Sequence, residues 1–166
     1  MKHAQRLAGL KSLAAELDNI DRDIYRSFGQ DWRTPVIGMG DRKARICFFG
    51  RDPGRHEVQH QFPFVGAGGQ KIRRVLHEVL HQTELPDFEA SIAVGLYAYW
   101  ANTVPYKPKR NKAWPKKVQR QVFPYIADLL INSWEGRDVI TLGQLAFLWF
   151  GLEDRETLGA LQAHWK

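Results

Sequence analysis

Residues Phe48 to Gly69 read FFGRDPGRHEVQHQFPFVGAGG. One acid, Asp52, stands inside Gly50-Arg51-Asp52-Pro53-Gly54, and one aromatic, Phe64, inside Pro63-Phe64-Val65-Gly66. Pro53 presets one turn dihedral and Gly54 frees the next, so the turn can aim a carboxylate into a crevice. A carboxylate placed there can stabilise developing positive charge or serve an attacking water. Taken alone, these residues also make an ordinary Asp-Pro-Gly turn in which the acid bonds its own backbone, and that is the plainer account of them. The glycines do not form a phosphate loop, because no Gly-Lys-Ser/Thr follows, and their spacing does not fit a dinucleotide-binding turn. Phe64 alone reads as a core aromatic, and Asn102 alone as a strand-end turn residue.

The elements that must position these residues are legible from periodicity. Leu7, Leu10, Leu13, Leu17, Ile20 and Ile24 recur at helical spacing and predict one amphipathic helix from Gln5 to Arg26. The apolar run Arg45 to Gly50 reads as a buried parallel strand, with Gly50 to Gly69 as loop after it. Ile72, Val75, Leu76, Val79 and Leu80 predict a helix, and Leu96 to Val104 a second strand. A helix is expected from Pro115 to about Asn132, with Val118, Val122, Ile126 and Leu129 on its buried face and Pro124 kinking it or delaying its start. Asp138 to Gly143 predicts a third strand, followed by a helix over Gln144 to Phe150, and the last fifteen residues show no strong period. Alternating strands and helices indicate an α/β class with a parallel sheet, read as a three-layer α/β/α sandwich with a short central parallel sheet. The 166 residues fit one domain.

Charge adds a direction. The net charge is +6 and the isoelectric point near 9.6. From Ala90 to Ala127 there is no Asp or Glu, yet seven cations: Lys107, Lys109, Arg110, Lys112, Lys116, Lys117 and Arg120. A run of this kind is usually a solvated face, but it also suits a polyanionic partner. One cysteine, Cys47, excludes an internal disulfide and any multi-cysteine metal site, and it reads as a buried small hydrophobe. His77 and His81 share a helix face without an acid at metal spacing, so no metal is expected. No apolar run approaches the about 18 residues of a membrane span, and no signal peptide is evident, so a cytoplasmic location is expected.

The long stretch resembles the first signature of the uracil-DNA glycosylase superfamily. Family 4 members read roughly G-E-A-P-G-x-x-E-x-x-x-G-x-P-F-V-G-x-A-G. The same frame here holds Gly50 to Gly54, Glu57, Pro63-Phe64-Val65-Gly66 and Gly68-Gly69 without a gap. Upstream, VIGMGDRKARICFFG is similar to the family's lead-in. Asn102 followed by TVPYKPKRNKAWP resembles the second signature, and VITLGQLA the third strand and helix. The resemblance covers Val36 to Phe150. It implies a glycosylase that flips a base into a pocket and hydrolyses its N-glycosidic bond, with no cofactor here. Its partner would be DNA containing uracil or a related lesion, and a monomer is expected. Phe64 would stack on the base, and Gly50 and Arg51 would border it. Asn102 would read the base edge, since an amide can pair with uracil N3–H and O4 while cytosine presents the reversed pattern. Asp52 would serve the water and the sugar cation. Lys107, Lys109, Arg110 and Lys112 would contact phosphates.

Five departures qualify the resemblance. Family 4 has Ala where Asp52 stands, whereas family 1 has Asp in G-Q-D-P-Y-H. Arg51 replaces the Glu or Gln of those families, and either binds a phosphate or holds Asp52 ionised. Gly54 replaces the family 1 Tyr that excludes the thymine methyl. The iron–sulfur cysteines of family 4 are missing. The C-terminal H-P-S motif is missing too, because His164 is followed by Trp165, and no role is carried onto it. The expectation is a truncated domain or a shortened homologue. Beside the enzyme reading stands a catalytically weak or inactive nucleic-acid-binding module of the same fold. An unrelated small-molecule hydrolase of similar topology is a third reading.

Overall fold

The computed structural model describes residues 1–165. Four strands form one sheet in the order β1-β3-β2-β4: β1 is Met39–Gly40, β2 Ile46–Gly50, β3 Tyr99–Asn102 and β4 Asp138–Thr141. β2 runs parallel to both β3 and β4, while β1 pairs antiparallel with β3 at one edge. The expected α/β class with a short, mostly parallel sheet is therefore present.

Alternation along the strands divides the sheet into two faces. Cys47, Phe49, Tyr99 and Ala101 point to one face. There they pack with Leu10 and Ala14 of α1 (His3–Ala14) and with Val122, Ile126 and Leu129 of α6 (Lys116–Asn132). Phe48, Gly50, Trp100 and Asn102 point to the other face, toward α4 (Ala67–His81) and α5 (Phe88–Val94). Phe48 and Trp100 stack there with ring centroids 4.7 Å apart. Helices on both faces make the three-layer sandwich.

The order reverses at β2, with β3 on one side and β4 on the other. The chain leaves β2 toward α4 on one face and leaves β3 toward α6 on the opposite face. A crevice must open where those directions diverge, at the C-terminal end of β2. Asp52 lies there.

Several expected boundaries change. The single helix over Gln5–Arg26 is two: α1 ends at Ala14 and α2 spans Arg22–Ser27. Between them the backbone extends to meet the basic loop. Ile20 bridges Pro108, the Asp21 amide donates to the Lys107 carbonyl at 2.9 Å, and the Lys109 amide to the Asn19 carbonyl at 2.9 Å. Leu17 and Ile20 are still buried, so their apolar spacing was a burial signal and not a helix signal. The last fifteen residues contain α8, Arg155–His164, whose first turn Asp154 caps by accepting from the Glu156 and Thr157 amides. On α4 the stripe facing the core is Gly69, Arg73 and His77, while Val75 and Val79 are exposed. Arg6, buried in α1, ties it to α6 by donating to Asp128 and to Ser133 Oγ. No helix among the described residues is long and apolar enough to cross a membrane.

α6 starts on time at Lys116 and passes through Pro124, which is exposed. Pro124 has no N–H for the Arg120 carbonyl, so that turn lacks one helical bond. Pro124→Ala restores it, and unfolding in urea should show a gain of about 1–2 kcal/mol after the loss of proline's stiffening of the unfolded chain.

Candidate active site

β2 and β3 end in register, with Gly50 paired to Asn102. Both face the α4 side of the sheet. A Cβ on Gly50 would lie 2.5 Å from Phe64 Cζ and 3.0 Å from Asn102 Oδ1. The ring tip of Phe64 and the amide of Asn102 thus converge on one point above Gly50, and only glycine leaves room for both. Asn102 is buried, and its carboxamide makes no hydrogen bond with any described residue. It therefore keeps its donors and acceptor for a ligand.

Asp52 follows two residues later. Its side chain is 6 % exposed and receives a fork from Arg51: Nε donates to Oδ2 at 2.7 Å and Nη2 to Oδ1 at 3.1 Å. Burial pushes the Asp52 carboxyl above its ordinary range, and the hydrogen bond and charge of Arg51 pull it back. Nη2 of Arg51 also donates to the Asn111 carbonyl at 3.1 Å. The guanidinium therefore joins the acid to the basic loop. The crevice beside Asp52, about 380 Å³, is bounded by Arg51 and by Leu142 to Leu145. Leu142 also borders a neighbouring hollow of about 520 Å³ that runs past Phe64, Gly66 and Ile72.

The stretch expected as continuous loop contains a short helix, α3, Arg55–His60. Its signal was present: Gly54 followed by Glu57 is the spacing of a capping box. The buried Glu57 carboxylate accepts from the Gly54 amide at 2.9 Å and from the Gly66 amide at 2.7 Å. Arg73, unnoticed in the sequence, is 2 % exposed. It donates to the carbonyls of Phe64 at 2.9 Å, Ser91 at 2.6 Å and Pro63 at 3.2 Å, and its guanidinium lies 4.6 Å from the Trp100 ring. No local pattern marks it, since it sits in an ordinary charged pair with Arg74.

The basic loop divides in two. Lys109, Arg110 and Lys112 are exposed, with Arg110 and Asn111 in left-handed backbone. Lys107 is placed differently from the expected phosphate contact. It is 5 % exposed, and its ammonium donates to the Pro108 carbonyl at 2.9 Å and to Asn111 Oδ1 at 2.5 Å. In this arrangement it braces the loop from inside. Cys47 is buried, and burial pushes its thiol up to about 12. His77 Nδ1 lies 3.1 Å from the Thr83 carbonyl. His164 ends α8 and is exposed.

The ring of Phe64 and the unpaired Asn102 amide converge above Gly50 at the C-terminal ends of β2 and β3, with the buried acid two residues beyond, which is where open α/β sheets place their ligand crevices. The family described as the uracil DNA glycosylase superfamily matches residues 37–163, and the chain belongs to it. A 48-residue segment is 40% identical to the type-4 uracil-DNA glycosylase of Saccharolobus solfataricus, covering 29% of this chain and 22% of that protein. A 91-residue segment is 34% identical to the type-5 uracil-DNA glycosylase of Thermus thermophilus, covering 53% of this chain and 41% of that one. The matched segments span less than half of either relative.

Asp52 should titrate above the usual carboxylate range, because burial outweighs Arg51. In Arg51→Gln the opposing charge is gone, and the midpoint should rise further. Carboxyl ¹³C NMR of the two proteins across pH 3 to about 8 reads this directly; an unchanged midpoint would show that the fork does not control the acid.

Proposed function

We propose that this protein removes uracil, or a related deaminated base, from DNA by hydrolysis of the N-glycosidic bond. The observation that carries the reading is the convergence of Phe64, Gly50 and the unpaired Asn102 amide at the end of the same strand pair that leads into Asp52. A base extruded from the stack would lie against the Phe64 ring and offer its edge to Asn102. Uracil N3–H and O4 satisfy one acceptor and one donor of that amide. Cytosine would leave buried polar groups unpaired, and that mismatch supplies selectivity.

Cleavage builds positive charge on the sugar. An ionised Asp52 stabilises that charge and orients or deprotonates the attacking water. Each Asp52 oxygen accepts one bond from Arg51 and retains a further lone pair for water. Arg51 thus acts here as the group that keeps Asp52 charged, and not as a base contact. Activity should decline as pH falls through the raised Asp52 value, where the carboxylate becomes protonated. Lys109, Arg110 and Lys112 lie on the outer side of the same loop, where they would take phosphates flanking the flipped nucleotide.

Single-turnover excision on a uracil-containing single strand tests the reading. Wild type should leave abasic product. Asp52→Asn should slow the reaction by about 10² to 10⁴-fold while DNA binding persists. Binding without abasic product would favour the inactive-module reading. Neutralising Lys109, Arg110 and Lys112 together should flatten the dependence of log affinity on log salt by about 0.7 per lost contact on single strands. A slope equal to wild type would remove the loop from the DNA interface.

A further inference from the structure

Two buried, oppositely charged side chains lie on either side of the segment that carries Phe64, and neither points at the crevice beside Asp52. The Glu57 carboxylate binds the first amide of each flanking turn: Gly54 N to Oε2 and Gly66 N to Oε1. Its two oxygens therefore span the ends of the excursion from Gly54 to Gly66. Glycine at both ends allows this close approach. A Cβ on Gly54 would lie 2.7 Å from Oε2, and one on Gly66 3.0 Å from Oε1.

Arg73 secures the ring itself. Its three carbonyl partners include Pro63 and Phe64, and its flat face rests on Trp100, which also lies 5.4 Å from the Phe64 ring. Phe64 has φ +56°, a left-handed backbone that a bulky residue adopts only when its surroundings require it. The bonds from Arg73 to the Pro63 and Phe64 carbonyls hold that conformation. Gly69 makes the same demand from α4, because a Cβ there would run into the Phe64 carbonyl. A buried guanidinium needs compensation. Burial lowers Arg73 to about 10, and the charge of Glu57 opposes that shift.

We infer that Glu57 and Arg73 are positioning residues for excision: Arg73 fixes the Phe64 ring from below, and Glu57 fixes the distance between that ring and the Asp52 turn. The inference rests on the glycosylase reading. Neither side chain touches the reacting atoms in it. Their work is to keep stack and acid in one geometry, where a displacement of an ångström costs about a hundredfold in rate.

Glu57→Gln is the direct test, because an amide can accept from one glycine N–H but presents an N–H to the other. Arg73→Lys keeps the charge and loses the three-way fork. At saturating uracil-containing single strand, each variant should excise about 10 to 100-fold more slowly, while half-saturation moves less than about threefold. Gly66→Ala keeps every charge and crowds the Glu57 carboxylate first, so it serves if Glu57→Gln unfolds. Its effect should vanish on top of Glu57→Gln, because both act through one contact. Amide hydrogen exchange supplies a readout independent of turnover: Gly54 and Gly66 should both be protected in wild type, and the one that faces the new N–H should lose protection in Glu57→Gln. Wild type that excises uracil, beside variants with the same rate and the same protection, overturns the positioning role. Additive effects of Gly66→Ala and Glu57→Gln overturn it as well. Wild type that makes no abasic product overturns the glycosylase reading instead, whatever the exchange data show.

Discussion

A carboxylate almost sealed from water keeps its charge only against a cation held in place. The Arg51–Asp52 fork is that arrangement, and much of the surrounding structure serves it. The Arg51 carbonyl accepts from Thr103 Oγ1 and from the Val104 amide, both just beyond β3. The backbone that aims the guanidinium therefore depends on the β2–β3 register. The same register sets Asn102 beside Gly50. A slip of one residue would turn Asn102 to the α1 and α6 face and displace Arg51's anchors at once. Asn102 and Asp52 are coupled through main-chain geometry before any side chain is considered.

The other half of the crevice is built differently. Strand ends hold Asn102 and Asp52, but Phe64 stands on a loop, and loops are compliant. Rigidity comes from buried charge, with Glu57 at the two glycine turns and Arg73 beneath the ring. Hydrogen bonds to charged groups are stronger than neutral ones, and a fully bonded buried ion is costly to displace. This accounts for the polar stripe on α4. Arg73 and His77 face inward while Val75 and Val79 face out, because the helix contributes a clamp at that point and not an apolar wall.

The three parallel strands were legible because their signals are local, whereas β1, only two residues long, gave none. Short apolar runs between breakers gave β2 and β4 to within two residues at each end. Asp52 and Phe64 stood out through the family resemblance of the frame from Gly50 to Gly69, since each residue taken alone reads as a turn acid or a core aromatic. What escaped was set by contacts distant in sequence. Leu17 and Ile20 keep helical spacing, yet the Asn19–Asp21 backbone leaves the helix to pair with Lys107–Lys109, nearly ninety residues on. Composition placed Lys107 with its exposed neighbours, but the fold turned it inward onto Asn111. α3 was hidden by its glycine-rich setting although its capping residue was in view. Arg73 left no mark, because an arginine whose partners are all main-chain carbonyls looks like any surface arginine in one dimension.

The basic loop shows how one acid-free stretch meets two demands. Its outer cations, Lys109, Arg110 and Lys112, face solvent. Its inner cation, Lys107, holds the Asn111 side chain, and the Asn111 carbonyl in turn receives Arg51. The element suited to meet a polyanion is thus the one that fixes the guanidinium on Asp52. This gives a physical sense to the two departures in Gly50-Arg51-Asp52-Pro53-Gly54. An acid moved one place along, with nothing beside it, would be driven toward its neutral form by burial. Arg51 in the preceding place opposes that drive through its fork and is itself held by the Asn111 carbonyl, so the acid and its cation form one unit.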